Sequence, residues 1–227
     1  MDPIEKTIIS LDWMTISLFL SLVVLTLGKY LYHKKFLNFI ILPFNDKYIL
    51  LHNKKGQFSH WFHLMMTLFQ LINLSLFLFL ILKVFDLLPK EDPLTIYLVI
   101  LGCLALFQLV KFLLQMFTGF VFNNQGLIGG LIFSKMSYLN YSSILTCIAN
   151  VLLIYITTNS KTTIYVAFAL ILLINAIGIA KLLKNYQKAL FPYFMYFILY
   201  LCTLEIAPLV LIGSYLKGWK LMKVKTI

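Results

Sequence analysis

The chain has 227 residues, of which 61% are hydrophobic and only 12% are charged, and its mean hydropathy is +0.92. So little polar surface cannot cover a soluble globule, so the composition excludes a sizeable soluble domain and predicts an integral membrane protein with the lipid bilayer as its main partner. The net charge of +11 comes from 19 basic residues, all lysine, which flank apolar runs as membrane anchors do and do not indicate nucleic-acid binding.

Apolar segments long enough to cross a bilayer as helices recur along the whole chain. They lie at residues 13–32, 62–85, 94–121, 141–158, 163–183 and 191–216. Helices are the expected form because lipid offers no hydrogen-bond partner to free backbone groups. The sequence therefore predicts an all-α fold, a polytopic membrane helical bundle of about six transmembrane helices, with residues 1–227 as one membrane domain. The first span lacks the basic flank of a secretory signal, so we expect it to remain as an anchor.

The connections between these segments differ in character. Residues 33–61 form the longest polar loop, whose apolar pieces are expected at the membrane interface or in a small hairpin around Asn45 and Asp46. Residues 84–93 are a short acidic loop, and residues 181–188 are expected to be a basic link. Residues 123–135 are rich in glycine; a plain connection is favoured there over a re-entrant segment. With the N-terminus outside, eleven lysines fall in inner loops and eight in outer segments, which slightly favours that orientation.

Polar side chains recur at helical spacing inside the spans. The polar residues in each of three spans share one face, because residues three and four apart do so. They are His63, Thr67, Gln70 and Asn73 in the second span, Gln108, Lys111, Gln115 and Thr118 in the third, and Ser143, Thr146 and Asn150 in the fourth. Lipid cannot satisfy these groups, so the faces should be buried against other helices. Two interpretations stay open: hydrogen bonds that hold a bundle together, or the lining of a path or ligand cavity.

Lys111 carries the highest free-energy cost of burial in the membrane among the residues of these polar faces. Its four-carbon stem allows the ammonium group to reach the membrane interface, which is the simpler interpretation. The sharper alternative is a buried ion pair with Glu205.

Glu205 is the acidic residue that lies deep inside a span. A carboxyl group at membrane depth is costly, so it is expected to face a partner, a cavity or water. Pro208, three residues later, removes a backbone donor and is expected to kink the helix there. Glu205 either pins this kink by a hydrogen bond or serves in protonation or in docking of a partner. Tyr200, on the same helix, needs a partner for its hydroxyl group.

Catalytic and metal-binding patterns are weak in this sequence. His60 and His63 stand three apart, with His52 upstream, but no carboxylate or thiol lies nearby in the sequence, so metal binding is the minor alternative to an interfacial role. None of the common nucleophile, phosphate-loop or metalloprotease motifs occurs. We therefore expect no cofactor, no metal and no catalytic residue.

The last span carries a recognisable motif, Leu-Tyr-Leu-Cys-Thr-Leu-Glu-Ile-Ala-Pro, from Leu199 to Pro208. This motif resembles the C-terminal signature of an uncharacterised family of multi-pass membrane proteins from Bacteroidota. The resemblance implies about six spans, a location in the bacterial inner membrane and importance of Glu205 and Pro208. It implies no known activity.

Three function classes follow from these observations. The favoured one is a non-enzymatic membrane subunit or assembly factor of a bacterial envelope complex, with other membrane or envelope proteins as partners. The second is a proton-linked or small-solute transporter, with Glu205 titrating and Lys111, Gln108 and Asn150 along the path. The third is a lipid-handling membrane enzyme that uses the histidines near the headgroups.

Overall fold

The computed structural model describes residues 12–45, 49, 61–88, 92–121, 125–158 and 160–190. These residues are almost entirely helical and contain no strand, which confirms the predicted all-α fold. By its internal contacts the chain divides into two units, Met1–Leu182 and Leu183–Ile227, and of the second unit the structure describes residues 183–190. That residues 1–227 act as one membrane domain stays a prediction.

Six helices follow one another in the described ranges. They are α1 Asp12–Leu31, α2 His33–Ile40, α3 Trp61–Val84, α4 Pro93–Val121, α5 Gln125–Val151 and α6 Lys161–Leu190. A π-helical turn, Leu152–Ile156, extends α5 and closes with a 2.7 Å hydrogen bond from the amide of Thr157 to the carbonyl of Leu152. All but α2 are long and apolar enough to cross a membrane, so the chain is a membrane protein. The predicted sixth span, 191–216, lies outside the described residues.

Helix α3 is the central element of the first unit. It packs against α1, α4 and α5, and 56% of its span is buried inside the chain. Its sequence explains this position, because the helix is apolar on every side and places only a few amides on the face toward α4 and α5. By contrast, only 11% of the α4 span and 17% of the α6 span are buried.

The turn between α3 and α4 is defined by Asp86. This residue has φ = 53°, in the left-handed region that Asp tolerates better than most residues. The amide of Asp86 donates to the carbonyl of Lys83 at 3.2 Å, and the amide of Leu87 donates to that of Leu82 at 2.9 Å. This pattern is a Schellman motif, which satisfies the last carbonyls of α3. Pro93 then occupies the first position of α4, where its missing N–H costs nothing.

One half of the first unit is rich in lysine. It contains the short helix α2, the C-terminal halves of α1 and α4, the turns of α6 that end at Leu182, and the N-terminal halves of α3 and α5. Its described lysines are Lys29, Lys34, Lys35, Lys111, Lys135 and Lys181, whereas Lys83 and Lys161 lie in the other half. We call this half the lysine-rich end.

A buried aromatic cluster closes the lysine-rich end. It comprises Phe36, Phe39, Leu42, Ile49, Phe62, Met66, Phe133 and Tyr138. The ring of Phe39 meets that of Phe62 edge-on at 5.8 Å, which fixes α2 against α3. The Lys181 ammonium group donates to the carbonyl of Pro43 at 3.0 Å and to that of Leu42 at 3.5 Å, so the turn after α2 is tied to α6.

Helix α2 lies within the predicted polar loop 33–61, because it buries Phe36 and Phe39 on one face. The predicted hairpin around Asn45 and Asp46 falls partly outside the described residues and stays a prediction, as does the interfacial alternative. Two other predictions about the connections are wrong. Residues 125–135, predicted as a plain connection, are the first three turns of α5. Their glycines are tolerated because Ile132 and Phe133 gain burial against neighbouring helices. Residues 181–188, predicted as a link, continue α6 to Leu190, since Lys, Leu, Gln and Ala all favour helix.

Candidate functional site

A layer of polar side chains lies between α3, α4 and α5. On α3, Gln70 and Asn73 are buried, and both belong to the polar face that the sequence predicted. Asn73 Nδ2 donates to the Phe69 carbonyl of its own helix at 2.9 Å, and Thr67 Oγ1 donates to that of His63 at the same distance. These bonds to the preceding turn leave the remaining polar atoms of the face directed at other helices.

Helix α4 joins this layer through Gln108. Its Nε2 donates to Oε1 of Gln70 at 3.2 Å, so the two predicted faces meet. Gln115, two turns further along α4, is also buried, with 4% of its surface exposed. Lys111 lies between them and is half-buried.

Helix α5 completes the layer with two asparagines. Asn150 Nδ2 donates to the backbone carbonyl of Asn73 at 2.9 Å, and Asn140 Nδ2 donates to Thr67 Oγ1 at 3.2 Å. Asn150 was predicted as a site residue, whereas Asn140 was missed because the predicted fourth span began one residue later, at residue 141. The signal was present, since Asn140 stands three residues before Ser143 on the same helical face.

Four side-chain oxygens of this layer are buried without a hydrogen-bond partner among the described residues. They are Oδ1 of Asn73, Asn140 and Asn150, and Oε1 of Gln108. A buried acceptor left unsatisfied costs about 1–3 kcal/mol. The layer is therefore rich in hydrogen-bond acceptors. Chemically it suits a hydrogen-bond donor, such as water or a hydroxyl group, or a cation that binds oxygen atoms.

Two lysines also lie on the helices that form the amide layer. Lys111 is on α4 and Lys135 is on α5, two helices that pack against each other, and the Lys135 ammonium group has less than 1 Å² of accessible surface. The Lys111 ammonium group also lies 5.9 Å from the centre of the Phe107 ring. Sequence reasoning missed Lys135, which it had placed at the edge of a loop. The predicted pair of Lys111 with Glu205 stays a prediction because Glu205 lies outside the described residues.

The remaining predicted site residues divide between the described part of the chain and the rest. The His63 ring packs against that of Phe133, with 5.1 Å between ring centres. Within the described residues, no group of three or more His, Cys, Asp or Glu side chains is placed to hold a metal ion. Four predicted residues fall outside those residues, and their roles stay predictions; they are His60, Tyr200, Glu205 and Pro208.

An apolar cavity of about 280 Å³ lies between α5 and α6, next to the π-helical turn. Leu145, Ala149 and Leu152 line it from α5 and its extension, and Val166 and Ala167 line it from α6. Two threonines, Thr162 and Thr163, add hydroxyl groups to the wall. The cavity thus lies between α5 and α6, whereas the amide layer lies between α3, α4 and α5.

Comparison with known proteins identifies the family of the chain but no activity. No curated protein and no solved structure matches it. One family does match over residues 14–216, a range that begins at the third residue of α1 and includes all later described helices and the predicted last span. The chain therefore belongs to the family described as Domain of unknown function (DUF4271).

Proposed function

We propose that the chain is a non-enzymatic membrane subunit or assembly factor of a bacterial envelope complex, held in the inner membrane of a bacterium of the Bacteroidota. The observation that carries this proposal is the surface of α6. Only 17% of its span is buried inside the chain, yet its exposed surface includes small residues at seven-residue spacing. They are Thr162, Ala169 and Ala176, followed by Ala180.

Small side chains favour helix contact over lipid contact. They let two backbones approach closely, and packing of this kind drives association of helices in membranes. The exposed surface of α4 carries large side chains such as Leu106, Leu113 and Phe117 over most of its length. Its exposed small residues are the neighbours Gly102 and Cys103, which do not recur at helical spacing. The α6 face is therefore the favoured docking surface for a helix of another membrane protein, and Glu205, in the predicted last span, is a second docking point.

The lysine distribution supports an orientation for the proposed subunit. Six described lysines of the first unit lie at the lysine-rich end and two at the other, which favours a cytoplasmic lysine-rich end. The N-terminus of α1 then faces the periplasm, in agreement with the orientation that the whole sequence slightly favours.

Affinity purification of the tagged chain from gently solubilised membranes tests the subunit proposal. We expect a membrane or envelope protein to co-purify in fixed ratio and to be lost when Ala169→Leu and Ala176→Leu are combined. Cys103→Leu is the matched control, because it enlarges an exposed small residue on α4. If the chain expressed at its native level is recovered without a partner, the proposal is contradicted. A partner that still co-purifies with the combined Ala169→Leu and Ala176→Leu variant would also contradict it.

A second function, movement of protons or a small solute, is favoured by one observation, the four buried amide oxygens that lack a donor. Reconstituted vesicles test it: Asn73→Leu or Asn150→Leu should reduce flux strongly, and Glu205→Gln should abolish proton coupling. Asn175→Leu serves as control, since its amide group donates to the Ile171 carbonyl of its own helix. Equal flux in all variants and in empty vesicles would eliminate this function.

A further inference from the structure

Helix α2 is held to the bundle by a single side. Its residues Phe36 and Phe39 are buried. The ring of Phe39 lies 5.8 Å from that of Phe62 and 5.9 Å from that of Tyr141, centre to centre. The two buried residues stand only ~60° apart around the helix axis, because each residue adds ~100°. Most of the circumference of α2 therefore faces away from the helices that hold it.

The remaining surface of α2 has an apolar side and a cationic side. Ile40 and Leu37 are exposed next to the buried side, and Ile41, in the turn that follows, continues this apolar side. Lys34 and Lys35 lie further round the helix. At ~100° per residue, the order around the axis is therefore buried rings, exposed aliphatic side chains and lysines. Such an order suits a helix that contacts protein, lipid and water on three different sides.

The position of α2 in the chain places it at the edge of the membrane. The preceding helix α1 has 20 residues, which correspond to ~30 Å, the thickness of the hydrocarbon core. Tyr32 follows with φ = −130° and ψ = 49°, so the chain leaves the helical path before α2 begins at the exposed His33. Exposed aromatic side chains mark this end of the bundle, with Tyr30 85% exposed, Phe44 86% and Trp61 66%. Tyrosine and tryptophan are enriched where membrane meets water.

Cationic side chains gather where α1 meets α2. Lys29 and Lys34 are exposed, and the Lys35 ammonium group lies 5.1 Å from the centre of the Tyr32 ring. The acidic residues in the described part of the chain lie at the other end of the bundle; they are Asp12, Asp86 and Asp92. An anionic lipid headgroup therefore complements the charge around α2, whereas a zwitterionic headgroup does not.

We propose that α2 is an interfacial helix that binds anionic lipid headgroups in the leaflet at the lysine-rich end. Leu37, Ile40 and Ile41 enter the outer part of the acyl region, and Lys34 and Lys35 contact the phosphate groups above them. Burial of the aliphatic side chains in lipid supplies the attachment, and the lysines supply the preference for negative charge. The site is independent of the proposed subunit function, which concerns the surface of α6.

Photo-crosslinking of the full chain in nanodiscs tests the position and the lipid preference of α2 together. Phosphatidylglycerol and phosphatidylcholine with the same acyl chains each carry a diazirine close to the ester groups, and mass spectrometry gives the labelled residues. We expect phosphatidylglycerol to label residues 33–44 in preference to phosphatidylcholine. Combined Lys34→Gln and Lys35→Gln should lower this preference about 25-fold, since each lysine near the surface contributes a factor of about five. The matched control, Lys83→Gln with Lys161→Gln in the other half of the bundle, should stay within about twofold of the wild type.

Further arms separate the apolar side from the charges. Leu37→Gln with Ile41→Gln keeps every lysine and should reduce labelling of α2 by both lipids, whereas Lys34→Gln alone should lower the preference about fivefold. Leu20, exposed in the middle of α1, should be labelled in every inserted variant by lipids with the diazirine at the end of the acyl chain. Equal labelling of residues 33–44 by the two lipids in the wild type would overturn the binding of anionic headgroups. Absence of labelling there, with Leu20 labelled, would overturn the interfacial position.

Discussion

Gly178 on α6 lies directly against the ring of Tyr138 on α5. A Cβ atom added at Gly178 would stand 2.5 Å from Cγ of Tyr138 and 2.8 Å from its Cδ2. The tyrosine ring has little freedom to move, because it is 2% exposed and its hydroxyl group reaches the Leu42 carbonyl at 3.5 Å. This contact is therefore one of the few places where α6 approaches the rest of the first unit closely.

Gly178→Ala should destabilise the protein, because the new methyl group meets the body of an aromatic ring that cannot rotate away. Overpacking of this kind costs about 1–3 kcal/mol. Thermal unfolding of the purified protein in one detergent measures the effect. Gly102→Ala on α4 is the control, since no atom lies within 4 Å of the position of its added Cβ. Equal melting temperatures for the two variants would contradict the close contact, whereas partial recovery in Gly178→Ala with Tyr138→Leu would support it.

Asn150→Ala should also lower stability, because it removes the 2.9 Å hydrogen bond from Asn150 Nδ2 to the Asn73 carbonyl. Hydrogen bonds between membrane helices contribute about 0.6–2 kcal/mol, so we expect a loss in that range. Unfolding in a mixed-detergent titration measures it. Asn175→Ala is the matched control, since Asn175 is half-buried and bonds within its own helix. A loss no larger than that of the control would show that Asn150 does not join α5 to α3.

Substitutions at Asp86 should follow the preferences of the left-handed conformation. Asp86→Gly removes the steric cost of a Cβ at φ = 53° and should stabilise the protein by up to about 1 kcal/mol. Asp86→Val should destabilise it by about 1–2 kcal/mol, because a β-branched side chain fits poorly there. Asp86→Asn should be nearly neutral. Thermal unfolding of the three variants gives the order of their stabilities. A valine variant as stable as the glycine variant would contradict the left-handed conformation at residue 86.

Hydropathy and spacing predicted the bounds of helices α1, α3 and α4 to within one residue, because the apolar runs there have sharp ends, as at Pro93. They failed at the start of α5, where glycines mimic a loop and only tertiary contacts show that the helix gains burial. The same limit applies to the site. Spacing predicted that Gln108 and Asn150 face other helices, but not that one meets Gln70 and the other the Asn73 backbone. Those partners depend on which helices are neighbours in the bundle. The spacing of residues in a single sequence does not reveal that arrangement.

Lys181 provides the last test, because its ammonium group holds the turn after α2. It donates to the carbonyls of Pro43 and Leu42, and the amides of Phe44 and Asn45 bond to the Ile41 carbonyl at 2.9 Å within that turn. Lys181→Met keeps the apolar stem but loses both donors, so the turn should open more often. We expect amide hydrogen exchange in residues 41–45 to become faster by about tenfold, which corresponds to the loss of one charge-assisted hydrogen bond.

Hydrogen-exchange mass spectrometry of the protein in nanodiscs measures this rate directly. Lys181→Arg keeps a charged donor and should exchange at nearly the wild-type rate, and Lys161→Met, in the other half of the bundle, controls for the lost charge. Unchanged exchange in Lys181→Met would mean that the aromatic cluster, through Phe39 and Leu42, holds the turn without help from α6. Faster exchange confined to residues 41–45 would establish Lys181 as the link between α6 and the cytoplasm-facing turn of the proposed orientation.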